Sequence, residues 1–308
     1  MTAVLAAAPT RRLAAVVPAF RQIGDLKRVR VAHADGSVAA RAFERSWAAL
    51  VDGADPAAVA ARECAAAVAG ARLAGLDAAT LTACGLSAPD AETVLARAVA
   101  ELADALHGAT VGRLRDALPG LVADRATADA APSFVSALCR QPRAGATAPG
   151  RPRLMVEPAE NHAEHSWAVA VYAALLADDV GADFGQAFLL GLAHHLHNAR
   201  LPDAGFAGEQ LLGEHLDPIV DRLTEMELAC LPAALAARVD AALAGRVDVD
   251  TPLGAAFHAA DVLDRVLQTH HHARVAAFTA EQALVDLQLV HDGPFAGYHR
   301  AVLRAAGL

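Results

Sequence analysis

Aromatic residues are scarce in this chain, at 4%. Strands favour aromatic and β-branched side chains, so a sheet-based fold is disfavoured from the outset. Cysteine is scarce too: Cys64, Cys84, Cys139 and Cys230 lie far apart with no C-x-x-C pair. That spacing excludes a zinc ribbon, argues against a disulfide scaffold and reads as free, mostly buried thiols. No uncharged apolar run approaches the roughly 18 residues that a membrane span requires. The nearest candidate, Leu13 to Phe20, is short and follows Arg11 and Arg12, a poor match to a secretory signal. The expectation is a soluble, cytoplasmic protein with no membrane partner. A basic stripe is also missing. The net charge is −9, which speaks against a nucleic-acid polymer as partner. Arg11–Arg12 and Lys27–Arg30, the basic clusters present, read as solvated surface.

The chain does have apolar mass. Hydrophobic residues make up 55% of its 308 positions, ample for a buried core and too much for a disordered chain. Alanine, the best helix former, dominates that fraction, so an all-α protein is expected. Helical periodicity starts at Ser37 and stops at Asp52-Gly53, then restarts at Asp55-Pro56, an N-cap followed by proline in the first turn. Further helices are expected from Ser87, up to Pro119-Gly120, and over Asn161–Ala177, Asp183–Ala199, Gly205–His215, Pro218–Leu228, Pro232–Leu243, Pro252–Phe278, Ala280–Val290 and Pro294–Ala305. Residues 1 to about 35 look mixed. Gln141 to Arg153, rich in Pro, Gly and Arg, reads as a linker. The expected organisation is a helical N-terminal region, 1–130, without a recognisable site, followed by a functional domain, 131–308.

Histidine is the unusual component. There are 14, crowded into the second half. Three expected helices carry potential metal ligands: Glu164-His165-Ser166-Trp167 opens the first, Leu192-Ala193-His194-His195-Leu196-His197-Asn198 ends the second, and His258-Ala259-Ala260-Asp261 lies in an apolar stretch of the third. An imidazole or carboxylate on an apolar helix face is costly unless paired or metal-bound. Several such groups on helices that can pack together call for a shared explanation. His194, His197 and Asn198 share one face at i, i+3 and i+4, and His258 shares a face with Asp261. The bland alternatives are core or helix-end histidines, and an Asp261–Arg265 ion pair four residues apart. His270-His271-His272, near a helix C-terminus, reads as surface.

These motifs resemble the HD superfamily of metal-dependent phosphohydrolases, in particular its five-prime-deoxynucleotidase-like branch. The resemblance rests on Pro142-Arg143-Ala144-Gly145, Ala163-Glu164-His165-Ser166, Leu192-Ala193-His194-His195 and Ala260-Asp261-Val262-Leu263-Asp264, in that order. It covers about residues 137 to 270 and implies an HD-like helical bundle. By position it implies that His165, His194, His195 and Asp261 hold a divalent ion, and that Arg143 contacts a substrate phosphate. Asp203 would lie near the reacting centre, and Glu164, beside a ligand, could orient it or help in catalysis. Two positions depart from the pattern: His195 stands where the family has aspartate, and Asn198 where it has a catalytic glutamate. Histidine in place of aspartate favours Zn, Fe, Co, Ni or Mn over Mg. Asn198 can orient water but cannot exchange a proton. The implied activity is hydrolysis of a small phosphomonoester such as a nucleoside monophosphate. A degenerate, non-catalytic module that binds a nucleotide or a partner is an alternative, as is a di-iron oxygenase drawing on His215 and His258. A homo-oligomer is left open.

Overall fold

A computed structural model describes residues 7–123, 131–275, 279–286 and 288–308. Expectations that fall on 124–130 and 276–278, or on the side chains of Arg11 and Arg12, lie outside the described residues. The fold is all-α. The helices run α1 (Ala7–Asp25), α2 (Val38–Val51), α3 (Pro56–Leu73), α4 (Ala78–Ala83), α5 (Ala88–Ala100), α6 (Gly108–Ala123), α7 (Ser133–Arg140), α8 (His162–Val180), α9 (Phe184–Ala193), α10 (Gly205–Leu212), α11 (Leu216–Leu228), α12 (Ala233–Ala244), α13 (Pro252–Val275) and α14 (Ala296–Ala305). Among the described residues, only isolated β-bridges interrupt the helical pattern.

The centre of the molecule is α8. Every residue from His162 to Ala177 is buried, so the helix has no solvent face and is enclosed by α9, α13, α2, α3, α7 and α1. Its start is fixed by a capping box: Asn161 accepts from the Glu164 N–H, and the Glu164 carboxylate accepts from the Asn161 N–H. Helices α8 and α9 cross closely at Gly191, where a Cβ would come within 2.3 Å of the Ala170 Cα. Only glycine allows that approach.

The N-terminal helices pack directly on this axis, and one apolar core runs through both halves of the chain. Phe20 of α1 stacks on Tyr172 of α8 with ring centroids 4.1 Å apart, and the Tyr172 hydroxyl donates to the Phe20 carbonyl. Trp47 of α2 meets Phe134 of α7 edge-on.

Several local expectations need correction. Helix α1 occupies a stretch that looked mixed, because Leu13, Val16, Val17 and Phe20 recur at helical spacing on its buried side. Helix α6 continues through Pro119 to Ala123. The expected helix 183–199 ends at Ala193 and resumes as a 3₁₀ turn over Leu196–Ala199. The expected helix 280–290 is a short π-helical turn, Gln282–Asp286. All four thiols are free, but Cys84 and Cys230 are exposed and only Cys64 is fully buried.

The segment read as a linker is part of the scaffold. Ala146 bridges to Leu154, and Pro142 bridges to Asn161 just before α8. Gly145 adopts φ +75°, and a Cβ there would collide with the Leu154 carbonyl at 2.3 Å. The loop thereby holds Arg143 against the end of α9.

Candidate metal centre

His165 comes from the first turn of α8, and His194 and His195 from the end of α9. One ring nitrogen of each lies within 4.8 Å of the other two. Asp261, on α13, places Oδ1 3.4 Å from His165 Nε2. All four expected ligands are therefore brought to one place.

Hydrogen bonding determines which nitrogen of each ring carries the proton. His194 Nδ1 lies 2.7 Å from the Gly191 carbonyl, which can only accept, so Nδ1 donates. His165 Nδ1 lies 2.8 Å from Asp264 Oδ2 and donates to it. His195 Nδ1 faces Asn198 Oδ1 at 2.8 Å, and the Asn198 amide nitrogen donates to the Leu201 carbonyl. That fixes the amide orientation, so His195 Nδ1 also donates. In neutral rings each Nε2 is thus left with a lone pair, the one on His195 accepting from Arg143 Nη1. His194 Nε2 and His165 Nε2 face each other at 3.3 Å with no proton between them. Two acceptors at that distance repel, and a cation between them removes the conflict.

The electrostatics keep His194 and His195 neutral. Burial, reinforced by the neighbouring rings and Arg143, pushes His194 and His195 well below the usual imidazole range. Burial raises the Asp261 carboxyl, but the positive charge of Arg265, first among the opposing influences, outweighs it and Asp261 lies well below the ordinary carboxylate value. The Arg265–Asp261 ion pair, at 3.2 Å, therefore coexists with a ligand position. Neutral imidazoles and an ionised carboxylate are the forms that bind a divalent cation. The residues present fit such an ion.

The other expected site residues divide. Arg143 and Asp203 reach the cavity: Arg143 Nη1 donates to His195 Nε2 at 2.9 Å, and Asp203 accepts from the Ala144 and Gly205 backbone N–H groups. Glu164 does not reach it. Its carboxylate is engaged by the Asn161 N–H, by the Ser37 hydroxyl at 2.6 Å and by Arg30. It caps α8 instead of orienting a ligand. Asn198 lines the cavity, yet both ends of its amide are committed, so it positions His195 and is not a reacting group. His258 donates to the Arg246 carbonyl and pairs with His299. His215 is not among the residues that line the cavity.

The residue that orients His165 is Asp264. Its other oxygen receives the ammonium of Lys27 at 2.6 Å, and Lys27 also reaches Glu160 at 2.5 Å. All three groups are nearly inaccessible to solvent. Lys27 therefore belongs to the interior, contrary to the solvated reading of its basic cluster. Burial raises the Asp264 carboxyl, but Lys27 and His165 prevail and hold it at about 2. The motif contained Asp264, but nothing local to Lys27 announced a partner 237 positions away. His272, also expected at the surface, is buried against Gln268.

The centre opens into a cavity of about 350 Å³. Arg143, Asp203, Asp261 and Arg265 are among its polar lining, and Leu212, Leu216 and Val220 among its apolar lining. Phe206 and His291, stacked at 3.7 Å, stand in its wall.

Residues 135–276, from α7 through α13, match the family model described as HD domain. The match supports assigning this stretch to the HD superfamily; it leaves Lys27, Arg30 and Ser37 outside. Neither the curated proteins nor the solved structures contain a match.

Proposed function

We infer that this HD-type domain is a metal-dependent phosphohydrolase acting on a small phosphomonoester, with a nucleoside monophosphate as the candidate substrate. The observation that carries the reading is the convergence of one ring nitrogen from each of His165, His194 and His195 beside Asp261, next to a cavity lined by His194, His195, Asp261, Arg143 and Arg265. His165, His194, His195 and Asp261 would hold the ion. When bound, a divalent ion supplies Lewis acidity toward a phosphoryl oxygen and lowers the pKa of a coordinated water.

The side chains divide the remaining work. Arg143 and Arg265 are donors only and suit the charged phosphoryl oxygens. Asp203 is the carboxylate assigned to take a proton from a water approaching phosphorus, while one backbone N–H on each of its oxygens keeps it in place. Asn198 holds the His195 ring so that Nε2 faces inward. The two departures from the family pattern thus act together: a histidine at 195 needs an acceptor for its Nδ1–H, and Asn198 Oδ1 provides one. The apolar lining of the cavity accommodates the body of the substrate.

One observation favours a second reading. Arg143 donates to the same His195 lone pair that an ion would use, which suits a module that binds an anion without turning it over. The deciding measurement is phosphate release from nucleoside monophosphates across Zn, Fe, Co, Ni and Mn. Metal-dependent release, lost together with bound metal in a folded His194→Ala variant, supports the enzyme. Absence of turnover with every ion, in protein shown to carry metal, would leave the binding module.

A further inference from the structure

A second cavity, of about 410 Å³, lies among α2, α3, α4 and α8, away from the histidines. Its polar wall is almost entirely cationic: Arg41, Arg45 and Arg62 line it, with Asp77 as the lining carboxylate. Asp77 is already used as the N-cap of α4, accepting from the Thr80 N–H. Behind the wall the fully buried Glu63 fixes two of the arginines. It accepts from Arg45 Nε at 3.0 Å and from Arg45 Nη2 at 2.7 Å, and lies 3.4 Å from Arg62 Nε. The guanidiniums are therefore positioned and not waving in solvent. The rest of the lining is apolar, including Ala66, Leu95, Leu121 and Trp167. At its edge Leu76 stays 46% exposed, and Ala74 is held at φ +53°, a conformation that a non-glycine residue adopts only where its surroundings enforce it.

We propose that this cavity binds a small amphipathic anion, a carboxylate or phosphate head carried on an apolar body. The head would meet Arg41, whose guanidinium touches the Gly36 carbonyl only at 3.3 Å and feels the repulsion of Arg45 and Arg30. Burial, that repulsion and the opposing pull of Asp77 leave its proton affinity below the usual arginine level. An anion offsets this, and Arg45 and Arg62 add attraction from fixed positions. The body fills the apolar space, whose volume falls in the range of ordinary ligand pockets. Trp167 follows His165 by two residues, so the two side chains leave α8 about 200° apart. The site backs onto the far side of the helix that presents a candidate ligand histidine, so it is separate from the cavity assigned above to the phosphomonoester.

Calorimetric titration of the full chain with octanoate and with octyl phosphate tests this, with octanol and inorganic phosphate as controls. At least one amphiphile should bind, and its head then names the anion class. Octanol and inorganic phosphate should bind at least about tenfold more weakly. Arg41→Gln, at a partly exposed position, should weaken the amphiphile by about tenfold. Ala66→Leu, which fills the space, should abolish binding while a thermal melt shows the fold intact. His194→Ala should leave binding unchanged. Failure of both amphiphiles to bind, octanol binding as tightly as they do, or equal affinity in Arg41→Gln and Ala66→Leu would overturn the proposal.

Discussion

His165 stands between two clusters of potential ligand atoms, and the contrast between its two sides shows what makes a metal site. On the Nδ1 side, Glu160, Asp264 and His165 itself come within ligand distance of one another. On the Nε2 side the same is true of His165, His194 and His195. Proximity does not separate the two; proton and charge accounting does. The Nδ1 side already contains its cation, because the Lys27 ammonium sits between two carboxylates and His165 Nδ1 donates to Asp264. The Nε2 side holds the facing His165 and His194 nitrogens, and the donor it has is Arg143, at His195. The first side is complete as a structural ion pair. The second asks for a cation and, through Asp264, receives from the first the ring orientation needed to bind one.

Removing Lys27 is the most severe way to break that contrast. Lys27→Met should leave Glu160 and Asp264 buried together without a counter-charge, costing about 3–5 kcal/mol of stability. Chemical denaturation of the metal-free protein measures it. Because Lys27 lies outside the matched 135–276 stretch, a loss of that size would also show that the N-terminal helices complete the centre. A loss under about 1 kcal/mol, as for an exposed pair, would mean that the two sides differ less than their geometry indicates.

Arg143 sharpens the contrast from the other side, because its Nη1 donates to His195 Nε2. Arg143→Gln removes a positive charge and a competitor for the His195 lone pair. Metal affinity should rise by about tenfold, the equivalent of one charge-assisted hydrogen bond, while phosphate-ester binding weakens. Competition against a chelator reads the first and substrate titration the second. If both fall together, Arg143 supports the ring instead of competing for it.

The candidate ligand set stood out in the sequence because each member carries its cost locally: an imidazole or carboxylate on an apolar helix face. His165, His194, His195 and Asp261 converge as expected, and helix starts with an Asx or Ser cap, such as Ser37, Asp55 and Asn161, were legible for the same local reason. What escaped depends on partners far away in the chain. Lys27 looked like solvent-facing charge until α1 docked on α8 through Phe20 and Tyr172. Glu164 stood beside a ligand in sequence, but on a helix neighbours point about 100° apart, and its carboxylate turned to the cap and to Ser37. Arg143 was recognised by its motif, whereas the segment around it looked like a linker because proline and glycine there serve a tight loop instead of a flexible one.

The mildest test concerns acid stability, since outlying histidines as well as His194 and His195 are held neutral. His299, on α14, is pushed to about 4, chiefly by burial and then by Arg265; His197 is pushed to about 4 by burial and Arg246. In the unfolded chain both titrate near 6.5. Between about pH 6.5 and 4 the unfolded state therefore binds more protons, so stability is full above that window and falls as pH drops through it. Each such group should contribute a slope of at most about 1.4 kcal/mol per pH unit, less for His299 because part of its ring meets solvent. His299→Gln keeps a donor for His258 Nδ1 and removes the titration, so its melting temperature should fall less steeply with acid than that of the parent chain. Identical slopes would mean that His299 protonates in place without cost, and that the pressure toward neutral imidazoles is confined to the ligand cluster.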